Sequence, residues 1–465
     1  MGVVTRAKKR MLEEVDHISS LPDAVLGNIV SFLPTKEGAR TQVLSSKWHH
    51  IWRYAPLNID LTSDPTITRG EVSRVLSSHR GSVGRRFSIP PVPKSNMKRM
   101  VFAADMDAWL RSPSLNNLEE LEFHLSDGYW QFSPPTPPLP ASARRFSSTL
   151  RVASFGGCGF SDEDAHELHL PHLKQLTLCN VTISESSLDS LVANCPVLES
   201  LLLHDTNCCP RFHVRSPSLR SLGVSSGCRD TLRHLIIEDA PCLERLLPFI
   251  RLGGIGTQLS VIYAPRLDVL GPLYGHFPRL RFGNTNFQVP SDPSSLLLSP
   301  SSTTSFFFLI ILCDLTHQIP PAVSMDLVCR VKVLALSMDP SLDEAGRADV
   351  WCHYRDRNLV GGLDIRLKKV VFTNYRGKMS HVKITKFFVL NARLLESMRL
   401  ELEDGNVSKE WIEKQHKLLK IEKRASMGAR FDFVPRNIFN GSLSLLYAKQ
   451  VHDLSITDPF HMLHV

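Results

Sequence analysis

Residues 173–203 read LKQLTLCNVTISESSLDSLVANCPVLESLLL. The stretch opens and closes on one phrase: leucine, two residues, leucine, one residue, an apolar residue. Leu173-Leu176-Leu178 is the first copy and Leu198-Leu201-Leu203 the second. The alternating core of each phrase has the period of two that a strand with one buried face requires. The first leucine turns the chain into the strand. Between the copies, Cys179 to Ile183 leave the strand, Ser187 to Ala193 fit a short helix, and Asn194-Cys195-Pro196 end it. One such unit cannot bury its apolar side alone, so neighbours have to stack.

The phrase recurs along the chain. Further copies stand at Leu118-Leu121-Phe123, Leu219-Leu222-Val224 and Leu232-Leu235-Ile237. Weaker ones are Leu150-Val152, Leu243-Leu246, Leu267-Leu270, Val331-Leu334-Leu336, Leu367-Val370-Phe372 and Leu395-Met398-Leu400. Five of the ten steps are 21 to 28 residues, the period of leucine-rich repeats. Leucine fits that reading at 64 of 465 residues. The expected fold is an α/β solenoid whose parallel strands line a concave face. Phrase leucines point into the core and the alternating residues point out. The outward set is Thr177 and Cys179, Leu202 and His204, Gly223 and Ser225, Ile236 and Glu238. These side chains are nearly neutral, small and partly apolar. They suit a protein target, whereas a nucleic-acid backbone calls for Lys and Arg.

Composition sets the outer bounds. Hydrophobic residues make up 43% and charged residues 22%, ordinary values for a globular protein. The longest apolar run, Phe306 to Cys313, has eight residues, against the ~20 of a membrane-spanning helix. The charged N-terminus lacks the apolar core of a secretory signal. The expected location is the nucleus, the cytoplasm or both, where the ten cysteines stay reduced. Seven of them lie between Cys158 and Cys242, in the strongest part of the repeat, as small core residues would. The net charge of +8 is local: residues 361–430 hold 16 Lys and Arg against 8 Asp and Glu. No GxxxxGK[ST] or HExxH occurs, and no nucleophile stands with a base. His166, His169 and His172 have no metal-site pattern beyond their spacing, and Cys208-Cys209 is poor spacing for a tetrahedral site. The chain reads as a binding protein without cofactor, metal or catalytic residues.

Residues 1–15 are a basic tail carrying Lys8-Lys9-Arg10. Residues 16–61 then read as three short helices. Ser19 or Ser20 can cap the first, with Pro22 in its first turn and Val25, Leu26, Ile29, Phe32 and Leu33 at helical spacing. A second fits Lys36 to Leu44, and Ser45 or Ser46 can cap a third that carries Trp48, Ile51 and Trp52. Such a unit buries little by itself, so it packs on the adjoining domain or offers an apolar face to a partner. DHISSLPDAVLGNIVSFLPTKEGARTQVLSSKWHHIWRYAPLNIDL, residues 16–61, resembles an F-box, and most closely that of plant F-box proteins with leucine-rich repeats and an FBD domain. LPD, the apolar helix, FLP, TQVLSSKW and the Ile51-Trp52 pair stand in order.

The C-terminal stretch LDIRLKKVVFTNYRGKMSHVKITKFFVLNARLLESMRLELED, with the helix around Trp411 to Ile421, resembles the FBD domain of the same family. Its pattern of strand, helix, strand, helix, strand can continue and cap the solenoid. The expected organisation is therefore tail 1–15, F-box 16–61, solenoid 62–360, FBD domain 361–435 and C-terminal tail 436–465. Residues 289–318 break the leucine rhythm and begin and end on codons compatible with intron boundaries, which marks an insertion or a retained intron.

The resemblance implies a substrate receptor of an SCF (Skp–cullin–F-box) ubiquitin ligase. Leu21, Pro22, Val25, Leu26, Ile29, Leu33, Val43, Leu44, Trp48, Ile51 and Trp52 match the contact pattern for a Skp-type adaptor, through which a cullin is reached. The solenoid would hold a target protein whose identity the sequence does not encode. The other readings are a non-ligase interaction scaffold with a vestigial F-box, and a nucleic-acid binder, which the neutral outward face disfavours.

Overall fold

The computed structural model describes residues 17–61, 67–81, 83–89, 96–125, 136–206, 210–225, 232–249, 257–274, 279–282, 285–288, 331–338, 365–402, 408–435 and 443–460. The basic tail 1–15 and the anomalous segment 289–318 lie outside them. The chain divides into two compact units, one of residues 1–127 and 139–155 and the other of 128–138 and 156–465.

The first unit opens with helices α1 (Asp23–Ser31), α2 (Thr35–Arg40) and α3 (Ser46–Tyr54), with a 3-10 turn at Thr41–Val43. Neither Ser19 nor Ser20 caps α1; Pro22 takes the N-cap position. Strand β1 (Leu57–Asp60) comes at once, so the strand repeat begins inside the stretch read as F-box. Residues 62–117 carry no leucine phrase, yet they contain α4 (Arg69–Ser78), β2 (Gly84–Ile89) and α5 (Asn96–Leu110). The start of α4 is written in the sequence as a capping box, Thr68 to Glu71. In β2, Phe87 and Ile89 fill the buried positions where later repeats use leucine. β3 (Glu120–His124) and β4 (Val152–Gly156) complete a sheet in the order β1-β2-β3-β4.

The second unit starts with α6 (Asp162–Glu167); β5 (Gln175–Cys179), α7 (Glu185–Ala193) and β6 (Ser200–His204) follow, the strand, helix and strand that the opening stretch predicts. Ser184 caps α7 by accepting from the Ser187 amide. After β6 the helices give way to strands: β7 (Arg211–Arg215), β8 (Ser221–Ser225), β9 (His234–Asp239), β10 (Arg245–Pro248), β11 (Gln258–Val261), β12 (Val269–Tyr274), β13 (Arg279–Phe282) and β14 (Thr285–Gln288). Then come β15 (Val333–Ser337), β16 (Lys369–Tyr375), α8 (Met379–Asn391), β17 (Ser397–Leu402), α9 (Lys409–Leu419), β18 (Arg430–Pro435) and α10 (Leu443–His452).

These strands form two sheets. The larger runs β5-β6-β8-β10-β12-β15-β16-β17-β18 in this unit, and the smaller runs β14-β13-β11-β9-β7. Pairing in the larger sheet is parallel and in phrase register. Leu176, Leu201, Leu222, Leu246, Leu270, Leu334, Val370, Met398 and Phe431 are successive Cα partners. The region read as FBD thus continues the repeat ladder, with β16, β17 and β18 as its last three strands. The residue after each of β4, β5 and β6 takes a left-handed conformation: Gly157 (φ 65°), Asn180 (φ 52°) and Asp205 (φ 51°). Its amide still pairs with the next strand, as Asn180 does with the His204 carbonyl at 2.8 Å and Asp205 with that of Ser225 at 2.9 Å. Glycine, asparagine and aspartate accept that geometry most readily, so the chain leaves the strand without breaking the ladder.

Cys158, Cys179 and Cys195 are free and buried. Burial pushes the Cys195 thiol up to about 12 and raises that of Cys158 as well. They act as small core residues.

Candidate functional site

The eleven residues matched to the F-box pattern fall into two sets. Leu26, Trp48 and Ile51 are buried and form a core with Val30 and Ala55, against which Leu21 and Trp52 pack; Leu33 is half-buried. Pro22, Val25, Ile29, Val43 and Leu44 face solvent, Leu44 at 64% and Val43 at 86% exposure. The helical period explains the division. Leu26 and Val30 share one side of α1, while Val25 and Ile29 share another. Phe32 extends the second set at i+7 from Val25 and is also exposed, with the Arg85 guanidinium 3.8 Å over its ring. The exposed apolar stripe is therefore Val25 and Ile29 on α1 and Phe32 at its C-cap, with Val43 and Leu44 in the turn before α3.

Contacts between α3 and the LPD turn hold this stripe in place. The Lys47 ammonium donates to the carbonyls of Ser19 (2.7 Å) and Leu21 (2.9 Å) and lies 3.3 Å from Asp23. The Trp48 indole donates to Ser19 Oγ at 2.9 Å, so this serine serves α3 as an acceptor instead of capping α1. A Cβ on Gly38 would lie 3.2 Å from the Trp52 indole, so only a small residue lets α2 approach that ring.

The eight residues expected on the concave face do not share one surface. Ile236 and Glu238 belong to β9, in the smaller sheet, where Glu238 accepts from Arg215 through two bonds of 2.8 Å. Thr177, Cys179, Leu202, His204, Gly223 and Ser225 lie on β5, β6 and β8 of the larger sheet, and all six are buried. Their cover is residues 443–460, the segment read as a tail. Tyr447, Val451 and Phe460 form one cluster with Leu202, Leu247, Phe249, Val269, Val333, Ala335 and Val371. The Tyr447 ring stacks on Phe249 at 4.0 Å and meets His204 edge-on at 5.5 Å. Val451 sits where a Cβ on Gly223 would lie 2.3 Å from its methyl, so glycine at 223 is what lets the helix reach the strands.

Polar contacts fix the segment end to end. His452 bridges two strands, with Nε2 2.7 Å from Thr177 Oγ1 and Nδ1 2.6 Å from Ser200 Oγ. Burial pushes this imidazole down to about 4, so it is neutral at neutral pH. The buried Arg245 guanidinium donates to the carbonyls of Asp453 (2.9 Å), Leu454 (2.7 Å) and Ile456 (2.6 Å). Sequence reading missed this occupant, although two signals pointed to it. Leu446, Tyr447, Gln450 and Val451 have the i, i+1, i+4, i+5 spacing of a one-sided helix. SLLLH and SLGVS are also more continuously apolar or small than a strand with one wet face, as parallel strands covered on both faces are.

In the first unit the equivalent strands carry charges. Arg86 meets Glu120 at 2.8 Å, Glu122 at 2.9 Å and Asp60 at 3.6 Å. Burial disfavours its charge, but the carboxylates outweigh that and hold the guanidinium above its usual range.

A three-helix unit with an exposed apolar stripe, carried on the same chain as a parallel-strand leucine repeat, fits the F-box proteins of the leucine-rich-repeat class. Family models agree segment by segment. The F-box domain model matches residues 18–60, the leucine-rich repeats of FBD-associated F-box protein At5g56370 match 106–301, and the FBD model matches 357–400. The chain thus carries F-box, leucine-rich-repeat and FBD domains, and its relatives are plant F-box/LRR-repeat and FBD-associated F-box proteins. Among its Arabidopsis thaliana relatives, F-box/LRR-repeat protein At3g03360 is 29% identical over 252 residues, 52% of this chain and 49% of its own. F-box/LRR-repeat protein At4g14103 is 30% identical over 238 residues, 50% and 61%. F-box/LRR-repeat protein 13 is 28% identical over 244 residues, 50% and 52%. The chain thus spans about half the length of the curated relatives it matches. Among the described residues, no helix is long and apolar enough to cross a membrane.

Proposed function

We propose that the protein is a non-catalytic substrate receptor of an SCF-type ubiquitin ligase. Its F-box docks on a Skp-type adaptor and so on a cullin, and its repeat region engages a target protein. The observation that carries this reading is the exposed stripe of Val25, Ile29, Val43 and Leu44, set beside a separate buried core of Leu26, Trp48 and Ile51. A helical unit that keeps large aliphatic residues wet after building its core has an interaction face left over. The mechanism is proximity: the receptor raises the effective concentration of target lysines at a ubiquitin-charged enzyme, and performs no bond chemistry itself. This role places the protein in the nucleus or the cytoplasm.

Co-purification with a Skp-type adaptor tests the docking face. Ile29→Asp with Leu44→Asp in the full chain introduces two charges at exposed positions and leaves the helical core intact. Recovery of adaptor is expected to fall at least tenfold with an unchanged circular dichroism spectrum. Equal recovery from wild type and variant would sink the proposed contact.

A further inference from the structure

The face that a repeat protein ordinarily offers to a partner is filled here by the chain itself. We propose that Leu443–Phe460 is an intramolecular pseudo-ligand, seated in a helix-binding groove on β5, β6, β8 and β10 that it can vacate. The groove is shaped for a helix. Gly223 opens the floor for Val451, Phe249 stacks on Tyr447, and Arg245 donates to the carbonyls past the helix end. Tyr447 and Val451 are i and i+4 anchors, the pattern by which a helix is read in a groove.

Two features set this seat apart from an ordinary core contact. The first is connectivity. α10 is the last α-helix among the described residues, and it lies against strands that precede it by more than 200 residues, such as Ser200 of β6 and Arg245 of β10. Its removal breaks no strand ladder, because the parallel pairing from β5 to β18 runs without it. The second is polar mismatch. Ser221 Oγ and Ser225 Oγ on the floor, and both polar side-chain atoms of Gln450 on the helix, are buried without a hydrogen-bond partner. Gln450 is fully buried, three residues from Tyr447 and one from Val451. Native interiors satisfy almost all such groups. A contact that leaves four unsatisfied atoms at its seam is suited to exchange with an occupant that pairs them.

The competing occupant is then a helix with an aromatic residue four positions before a β-branched one. Calling it a target segment rests on the function proposed above; the seat and its release do not. A fluorescein-labelled peptide of residues 443–460 tests the groove on the full-length protein. Wild type should bind it weakly, because the tethered copy is present at an effective concentration of ~mM. Val451→Asp should expel the resident helix, leave the strands unchanged and raise peptide affinity at least tenfold. Adding Gly223→Leu should abolish that gain. A folded Val451→Asp protein with no gain in peptide affinity overturns the proposal. Hydrogen exchange on wild type provides an independent reading and decides alone if Val451→Asp does not fold. Amides of 447–453 should exchange at least tenfold faster than those of β6 and β8, whereas equal protection would make α10 fixed core. Neither measurement involves an adaptor, so failure here leaves the docking reading standing.

Discussion

Arg245→Ala should release the end of the C-terminal segment while sparing the strands. Arg245 is 5% exposed and donates to three main-chain carbonyls, at 2.9, 2.7 and 2.6 Å. Those carbonyls lie beyond α10, where the helix itself supplies no donor. A hydrogen bond to a charged group contributes about 1.5–3 kcal/mol. Three together do not add in full, because burying the guanidinium opposes them, and burial does hold Arg245 below the usual arginine range. We take the net loss on truncation as about 2–3 kcal/mol, the upper part of what one hydrogen bond to a charged group contributes. At ~1.4 kcal/mol per tenfold, that is roughly a 30- to 150-fold rise in the opening constant of the segment. Native-state hydrogen exchange of the amides in 447–456 reads this directly, with β6 and β8 as internal controls. Arg245→Lys should recover less than half of the effect, because an ammonium lacks the planar fork that spans three acceptors. If exchange in 447–456 changes less than threefold in Arg245→Ala, the carbonyls hold their place without the guanidinium and the reasoning fails.

Two further outcomes come from burial. His452 is held at about 4 in the folded protein against an ordinary value of 6.5. Below pH 6.5 the released or unfolded segment binds a proton that the seated one refuses. Stability of the seat should therefore be full above pH 6.5, fall by about 1.4 kcal/mol per unit on acidification, and level off near pH 4 after losing roughly 3 kcal/mol. His452→Gln should flatten that slope in a pH series of urea melts or exchange rates; an unchanged slope would assign it elsewhere. Alkylation mapping by mass spectrometry should find Cys158, Cys179 and Cys195 protected in the native protein and Cys242, which is half-buried, modified before them. Early modification of Cys195 would contradict its burial.

The repeat ladder was legible because each strand is specified locally. A leucine phrase fixes which residues are buried, and parallel register then results from matching phrases, as Leu176, Leu201 and Leu222 show. Where the phrase is absent, as in β2 with Phe87 and Ile89, the pattern does not reveal the strand, although its burial is the same. The phrase also does not say which sheet a strand joins. Leu235 and Ile237 of β9 and Leu222 and Val224 of β8 are equally buried, but they lie in different sheets. In the F-box, helical spacing named the apolar residues, and only the packed helices separated Leu26 and Ile51 from Val25 and Val43.

The sequence by itself determined the modules, the strand period and the inward leucines, because these depend on neighbours a few residues away. The tertiary structure alone decided what covers the other face. Thr177, Leu202 and Gly223 alternate outward on their strands as an open surface would, and nothing local distinguishes a wet residue from one covered by a helix that arrives more than 200 residues later. That cover depends on long-range complementarity: a glycine at 223 opposite Val451, and an arginine at 245 facing the carbonyls of 453–456. Each half of such a pair is ordinary in sequence, and only their meeting in space gives either one its role.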